Sequence, residues 1–360
     1  MSKTFTIGNR IIGDGQPAFI IAEVSCNHQQ NYAQAEAIVR AAANAGADAV
    51  KIQTYTPDTQ TIDCDKPWFY VDGNSNPDSW KGRTFYQLYQ EAYTPWDWDA
   101  KIQKLAQELG LIFFSTPSDP ASVDFLETLN VPLYKIAAYE ATDVTLLRAV
   151  ARTGKPMIVS VGFATLAEVE YSIKVLRDSG AKDIAVLHCT TSYQDSENAQ
   201  TTHLRTMLDI KERFDVVAGF SDNMGGVRIP ALAAAMGAAI IEKHIVIKHD
   251  PSVLDDRFSL DPAEFSEMVR LIREQERAMG EVAYGTRTPG EEENRRYRRS
   301  LFVVKDMKKG EKFTPENVRS IRPANGLETK YIDEVLESHA ATDIERGTPL
   351  SWEIINKDAK

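Results

Sequence analysis

The stretch IIEKHIVIK, residues 240–248, has the composition of a buried β-strand, yet three ionisable residues stand together within it. Glu242, Lys243 and His244 are flanked on both sides by isoleucine and valine. Charge in a buried strand is costly unless it is paired, bound to a metal or placed at the strand end. Because side chains alternate between the two faces of a strand, we expect Glu242 and His244 to share one face. Lys243 should lie on the other face, paired within the helix layer.

Seven similar apolar runs precede this one, and amphipathic helical patterns separate them. The runs are FIIAEVS (19–25), AVKIQTY (49–55), LIFFSTP (111–117), LYKIAAY (133–139), PMIVSVG (156–162), IAVLHCT (184–190) and VVAGFSD (216–222). Strict alternation of strands and helices indicates a parallel sheet. Eight such units favour a closed (β/α)8 TIM barrel over an open doubly wound sheet. No glycine-rich dinucleotide fingerprint follows the first run, which further weakens the open-sheet alternative.

The chain divides into segments of different character. Residues 1–280 hold the eight units, and residues 281–299 are charged and interrupted by glycine and proline, as in a linker. Residues 300–360 show short strands and turns, which predict a small β-rich domain. A long insertion at 56–95 follows the second strand, where we expect it to shape a substrate pocket. A plain surface loop is the alternative for the insertion.

Composition excludes several classes of protein. The 360 residues are 43% hydrophobic, enough for a packed core, and a net charge of -11 argues against nucleic acid as the main partner. No run approaches the roughly 20 apolar residues of a membrane helix, and the N-terminus lacks a signal-peptide pattern. Three widely spaced cysteines fit a reduced cytoplasmic protein better than a disulfide scaffold.

Polar residues recur at the ends of the predicted strands, where barrel enzymes place their active sites. They are Glu23, Asn27, His28, Lys51, Gln53, Ser115, Thr116, Lys135, Glu140, Ser160, His188, Thr190, Thr191, Tyr193, Ser221, Asp222, Asn223, Glu242 and His244. Two lysines with several hydroxyls suit a substrate that carries phosphate and carboxylate. Each lysine has the alternative of a rim ion pair, and Ser160 and Ser221 have that of helix caps.

Two further roles follow from the residue types alone. Glu23 is a candidate general acid or base. His244 is a candidate metal ligand, and possible neighbours in such a site are Asp222, Glu242 and His188. A lone histidine in this position is more often structural than a ligand.

Motifs along the whole chain resemble the sialic acid (nonulosonate) synthase family. In order, they are IAEVSCNH, GADAVKIQT, FFSTPSD, YKIAAYE, IVSVGFAT, LHCTTSY, GFSDN and IEKH. The tail SLFVVKDMKKGEKFTPENVRSIRPANGL resembles the family's antifreeze-like (SAF) domain. KIQTYTPDTQTID, GRTFYQLYQEAYTPWDW and DDRFSLDP are most similar to pseudaminic acid synthases.

The resemblance implies an activity: condensation of phosphoenolpyruvate (PEP) with an acetamido hexose to form a nonulosonic acid, with release of phosphate. The similar subfamily makes pseudaminic acid from 6-deoxy-AltdiNAc, and N-acetylneuraminate or legionaminate synthesis is the alternative within the family. The resemblance also implies a divalent metal, Mn²⁺ or Mg²⁺. Two alternatives from other classes are a Schiff-base aldolase using Lys135 and a degenerate, non-catalytic sugar-binding homologue.

The resemblance also assigns roles to individual residues. Glu23 matches the acid–base glutamate, and His244 matches a metal ligand that serves catalysis. The PEP positions are Lys51, Thr116, Lys135, Ser160, Thr191 and Ser221, and the sugar positions are Gln53, Glu140, Tyr193, Asp255 and Arg322. Arg322 matches an arginine that the tail domain inserts into a partner subunit, which implies a domain-swapped homodimer.

Three positions depart from the family pattern. Asn223 stands where the family usually has a second metal-binding histidine, and an amide oxygen binds manganese more weakly than imidazole does. Ala138 and Thr191 stand where a serine and an asparagine are often found. The departures at Ala138 and Thr191 alter hydrogen bonds expected at the PEP site.

Overall fold

The computed structural model describes residues 3–71 and 80–357. The chain forms two compact units, Met1–Gly280 and Glu281–Lys360. Residues 72–79 of the predicted insertion and the last three residues of the predicted 300–360 domain lie outside the described residues. The linker predicted at 281–299 stays a prediction.

The first unit is a closed barrel of eight parallel strands, which confirms the predicted fold class. An antiparallel pair, β1 (Thr4–Ile7) and β2 (Arg10–Gly13), precedes the barrel. The barrel strands are β3 (Phe19–Glu23), β4 (Ala49–Thr54), β5 (Ile112–Pro117), β6 (Tyr134–Ile136), β7 (Met157–Val161), β8 (Ile184–Gln194), β9 (Val217–Met224) and β10 (Ile240–His244). β10 closes on β3 with His244 opposite Glu23, so the first and last strands end side by side.

Helices follow the strands in sequence and cover the outside of the barrel. They are α1 (Tyr32–Asn44), α2 (Pro57–Gln60), α3 (Phe85–Ala92), α4 (Asp99–Glu108), α5 (Pro120–Thr128), α6 (Val144–Arg152), α7 (Leu166–Asp178), α8 (Ala199–Thr202), α9 (Arg205–Phe214), α10 (Arg228–Ala235) and α11 (Pro262–Met279). α2 and α3 belong to the insertion, and α8 lies in the connection between β8 and α9.

Two apolar cores follow from the alternation of side chains along the strands. The outward-facing residues pack against the helices, as Ile20, Val50 and Ile241 do. The inward-facing residues at the strand starts, such as Phe19 and Ile240, pack together with side chains from β1 and β2. This inner core fills the N-terminal end of the barrel, so polar inward-facing residues remain only towards the C-terminal end.

The second unit has its own small core and little regular structure. Its elements are α12 (Pro289–Asn294), β11 (Ser300–Val303), β12 (Val318–Ile321), α13 (Ile332–Leu336), β13 (His339–Ala340) and β14 (Ile355–Asn356). Both strand pairs are antiparallel. Leu301, Phe313 and Val335 are among the residues of its core. In neither unit does a described helix have both the length and the apolar character needed to cross a membrane.

Candidate active site

A cavity of about 570 Å³ opens at the C-terminal ends of the barrel strands. Many residues singled out from the sequence line it: Lys51, Gln53, Thr116, Lys135, Glu140, Ser160, Thr191, Tyr193, Ser221, Asn223, Glu242, His244 and Asp255. Glu23 has no exposed surface, but it contacts Lys51 and Gln53 in the cavity lining. Arg322 lies in the second unit, where it is exposed.

Lys51 and Glu23 form an ion pair inside the barrel. The ammonium of Lys51 also donates to the hydroxyl of Thr116 at 2.9 Å. Burial raises the pKa of Glu23, and the nearby charge of Lys51 only partly opposes this. Burial by itself lowers the pKa of Lys51, but the carboxylates of Glu23 and Glu242 outweigh it, and the net pKa is raised. The pair therefore places a lysine and a carboxyl group with a raised pKa side by side at the cavity.

A second ion pair joins Lys135 and Glu242 across the barrel interior. Their Nζ and Oε1 atoms are 3.0 Å apart, and Ser221 donates to the same oxygen at 3.1 Å. Burial raises the pKa of Glu242, but Lys135 and Lys51 outweigh burial and the net pKa is lowered. The structure thus supports the rim ion-pair alternative for both lysines and also places both of them at the cavity.

Ser160 and Ser221 do not serve as helix caps. Thr165 caps α7, and Val227, the residue before α10, provides no side-chain cap. The Ser160 hydroxyl is buried and has no hydrogen-bond partner among residues 3–71 and 80–357. It is therefore a polar group available to a ligand.

His244 fits the role of a metal ligand. Burial, with the charge of Lys51, lowers its pKa to about 3, so the imidazole is neutral and its lone pair is available. Its Nδ1 lies 3.7 Å from Asp255 Oδ2 and accepts no hydrogen bond from any described residue. Asn223 lines the same cavity, and its amide nitrogen donates to Cys189 Sγ at 3.6 Å. A neutral imidazole and an amide oxygen suit a divalent ion.

A different group of side chains also has the spacing of a metal site. Potential ligand atoms of His249, Asp261 and Glu264 lie within 4.8 Å of one another, outside the cavity lining. However, Asp261 caps α11, and Glu264 completes that capping box. His249 is already bonded to Asp256 at 3.0 Å and to Glu264 at 3.1 Å. This group therefore has an evident structural role.

Several residues near the strand ends face away from the cavity, which corrects the grouping made from the sequence. Asp222 pairs with Lys243 at 2.9 Å, and neither side chain is exposed. The predicted outward pairing of Lys243 is confirmed, and Asp222, which takes part in that pair, does not line the cavity beside His244. His188 bonds the Thr202 carbonyl oxygen at 2.6 Å and also lies outside the cavity lining.

Three more of the residues after the strands have structural partners. Ser115 bonds Thr54 at 2.6 Å. Asn27 donates to the Ile245 carbonyl at 2.8 Å, and His28 bonds Thr94 at 3.0 Å. These contacts fix connections between elements, so Ser115, Asn27 and His28 do not belong to the candidate site.

The sequence analysis missed Ser25, which links two predicted sugar positions. Its hydroxyl donates to Asp255, and Gln53 donates to that hydroxyl at 3.1 Å. Ser25 has a positive φ of 48°, so the chain turns sharply after β3. The strand period does not extend through such a turn, and no sequence signal marked this residue.

The described parts of the insertion form an aromatic wall of the cavity. Trp68, Tyr70, Trp80, Phe85 and Tyr89 all contribute to the lining. The prediction that the insertion shapes the pocket is borne out for these residues. The sequence reasoning had not singled out any of the five individually.

Comparison with known proteins identifies the family of this chain. The model of the NeuB family matches residues 38–284, and that of the SAF domain matches residues 298–355. A pseudaminic acid synthase from Campylobacter jejuni is 39% identical over 346 residues, covering 96% of this chain and 98% of its own. One from Helicobacter pylori is 37% identical over 342 residues, covering 95% and 99%.

A solved structure has a similar fold. The N-acetylneuraminic acid synthetase from Leptospira borgpetersenii aligns with a TM-score of 0.70 at 28% identity, covering 81% of this chain and 95% of that one. The family match spans most of the barrel, and the relatives extend along nearly the full length. This chain therefore belongs to the NeuB family and carries a C-terminal SAF domain.

Proposed function

We propose that this chain is a PEP-dependent nonulosonate synthase that condenses PEP with an acetamido hexose and releases phosphate. The observation that carries the proposal is a pair of buried lysines at one cavity. Lys51 and Lys135 are 3% and 2% exposed and face inwards from β4 and β6, on either side of Thr116. Each lysine is paired with a buried carboxylate and still lines the cavity, so both ammonium groups would meet the phosphate and the carboxylate of PEP there.

The anionic groups of PEP would be held by the lysines and the hydroxyls around them. Thr116, Ser160, Thr191 and Ser221 supply neutral donors in the cavity lining. The unpartnered hydroxyl of Ser160 supports this assignment, since PEP would give it an acceptor. Such donors, fixed before the ligand arrives, stabilise charge that develops during the reaction.

Glu23 is the proposed proton carrier. Its raised pKa follows from burial, and its Oε1 accepts from Gln53 at 3.2 Å and from the Ser25 amide at 3.0 Å. In the proposed reaction, C3 of PEP forms a bond with the aldehyde carbon of the sugar, water adds to C2 and phosphate leaves. A carboxyl group beside both substrates is suited to give and take the protons of these steps.

His244 and Asn223 are the residues that would hold a divalent ion, Mn²⁺ or Mg²⁺. Such an ion supplies Lewis-acid polarisation of a carbonyl group. Gln53, Glu140, Tyr193 and Asp255 would bind the sugar, and their polar groups lie around the same cavity. We favour the sugar used for pseudaminic acid because pseudaminic acid synthases are among the relatives that match nearly the whole chain.

We also propose a domain-swapped homodimer in which Arg322 of one copy completes the cavity of the other. We further propose that the protein works in the reducing cytoplasm. The resemblance to the family supports the dimer, and the free thiols of Cys26, Cys64 and Cys189 support the setting. Mixing Glu23→Gln with Arg322→Ala protein tests the exchange. A swapped heterodimer regains one intact site and hence activity, whereas two unswapped variants stay inactive.

Phosphate release tests the central proposal. The purified protein is incubated with PEP, Mn²⁺ and, in turn, the precursors of pseudaminic, legionaminic and N-acetylneuraminic acid, with Glu23→Gln as control. Release is expected with the diacetamido precursor of pseudaminic acid. If no sugar gave phosphate release above the control, the synthase proposal would fail and the alternative of a non-catalytic sugar-binding protein would be favoured. Borohydride trapping of Lys135 would instead favour an aldolase, although an amine nucleophile has to be uncharged and Lys135 is held in an ion pair.

A further inference from the structure

Trp80 stands out in the aromatic wall because the fold holds it firmly in place. Its indole packs against the apolar cluster of Cys26, Val71, Leu88 and Leu254. The ring meets that of Tyr193 edge-on, with centroids 6.0 Å apart. The backbone is tied down as well, since the amide of Val71 donates to the Arg83 carbonyl at 2.8 Å and Arg83 donates to the Trp80 carbonyl at 3.4 Å.

The indole N–H of Trp80 has no partner although it is buried. Within residues 3–71 and 80–357, Nε1 makes no hydrogen bond. An indole N–H can only donate a hydrogen bond, and leaving a buried donor unpaired is unfavourable. The contrast with Trp96 is direct, because its Nε1 donates to the Tyr55 carbonyl at 3.1 Å. Among residues 3–71 and 80–357, the indole of Trp96 thus has an acceptor and that of Trp80, in the cavity wall, has none.

The surroundings of Trp80 limit which acceptor can fill this place. Val71, Leu88 and Leu254 make this part of the wall apolar. A carboxylate or phosphate would lose hydration against these apolar side chains. An acetamido group fits better, because it combines a strong neutral acceptor, its carbonyl oxygen, with an apolar methyl group.

We propose that Trp80 is a specificity-determining residue of the sugar site, and that its indole N–H donates a hydrogen bond to the carbonyl oxygen of an acetamido group on the hexose. The inference rests on the proposed function and deepens it. The contact between the rings of Trp80 and Tyr193 places this subsite beside a predicted sugar residue. The ring centroids of Tyr193 and Phe258 are 4.9 Å apart, and those of Phe258 and His244 are also 4.9 Å apart. A row of rings therefore runs from the acetamido subsite to the candidate metal ligand. A hexose with a hydroxyl in place of this acetamido group would leave part of the apolar wall unfilled.

The test is Trp80→Phe, which keeps an aromatic ring and removes the N–H group. The KM for the diacetamido hexose is expected to rise roughly tenfold, while kcat and the KM for PEP stay within about twofold, since the lysine pairs are untouched. Trp98→Phe is the matched control, because it also removes an indole N–H, and Trp98 packs against His28 and Tyr32 outside the cavity lining. Equal sugar KM values in Trp80→Phe and the wild type would overturn the inference.

Two further measurements keep the test independent of folding and of turnover. A sugar whose acetamido oxygen is replaced by sulfur is a weaker acceptor, so its KM should rise in the wild type and change little in Trp80→Phe. No rise in the wild type would also overturn the inference. Calorimetry with the diacetamido hexose alone separates the two proposals. Binding that weakens in Trp80→Phe without any turnover supports the subsite and refutes the synthase, whereas wild-type turnover with unchanged binding in the variant does the reverse.

Discussion

Lys243 and Asp222 form an ion pair sealed between the barrel and its helices, and Lys243→Met is expected to destabilise the first unit by about 3–5 kcal/mol. Nζ and Oδ2 are 2.9 Å apart, neither side chain is exposed, and the lysine also donates to the Met224 carbonyl. Methionine keeps most of the volume, so the change removes charge rather than packing. The loss therefore reports the pairing and not a cavity.

The magnitude follows from what remains around the carboxylate. Asp222 Oδ1 keeps donors from Thr190 at 3.1 Å and from the Met224 amide at 3.2 Å, but no cation. Burial already raises the pKa of Asp222, and Lys243 opposes it. Without the lysine the pKa rises further above its unfolded value. At low pH the carboxyl of Asp222 is protonated in the folded variant, and this favours the folded state. The stabilisation is lost as pH rises, so the variant's loss of unfolding free energy should be larger at pH 7.5 than at pH 5.

Urea unfolding of the full chain, followed by circular dichroism, measures the effect at both pH values. Lys248→Met is the matched control, because it removes an exposed lysine from the same stretch. The double variant Asp222→Asn/Lys243→Met should recover most of the loss, since no buried charge is left unpaired. If Lys243→Met proved as stable as Lys248→Met, the pair would contribute nothing and the reasoning would be refuted.

Three other changes test the candidate site and its supports. Ser160→Ala should alter the free energy of unfolding by less than about 0.5 kcal/mol, because the hydroxyl has no partner in the described parts of the protein. The same change should raise the KM for PEP roughly fivefold. An unchanged KM would mean that PEP does not bind at Ser160. Asn223→His should tighten Mn²⁺ binding measured by calorimetry, and unchanged affinity would mean that the ion does not use this position. Asp99 has a pKa raised to about 7 by burial, so the wild type loses stability as pH rises through that value, by at most about 4 kcal/mol. Asp99→Asn should flatten this loss, and melting temperatures at pH 5 and 8 that differ as much as in the wild type would contradict it.

The sequence predicted the barrel because its signals are local and repeated. Eight apolar runs separated by helical patterns are compatible with few folds other than a closed parallel barrel. The period of two along a strand also placed Glu242 inwards and Lys243 outwards, as the structure has them. The same period, applied to β8 from the inward Cys189, would have placed His188 outwards. The direction of His188 was therefore not set by the sequence, because the inward position of Cys189 is known from the structure.

Other parts of the site depended on tertiary structure. Ser25 follows a turn with positive φ, where the strand period ends and no pattern gives the direction of a side chain. Trp80 comes from the insertion and contacts Tyr193, which lies near the end of β8 more than a hundred positions later. Which buried donors lack an acceptor depends on every neighbour in space at once. The sequence by itself thus determined the barrel and the inward lysines, because period and alternation act between near neighbours. Only the packed structure decided which polar groups the protein satisfies itself and which it leaves for a ligand.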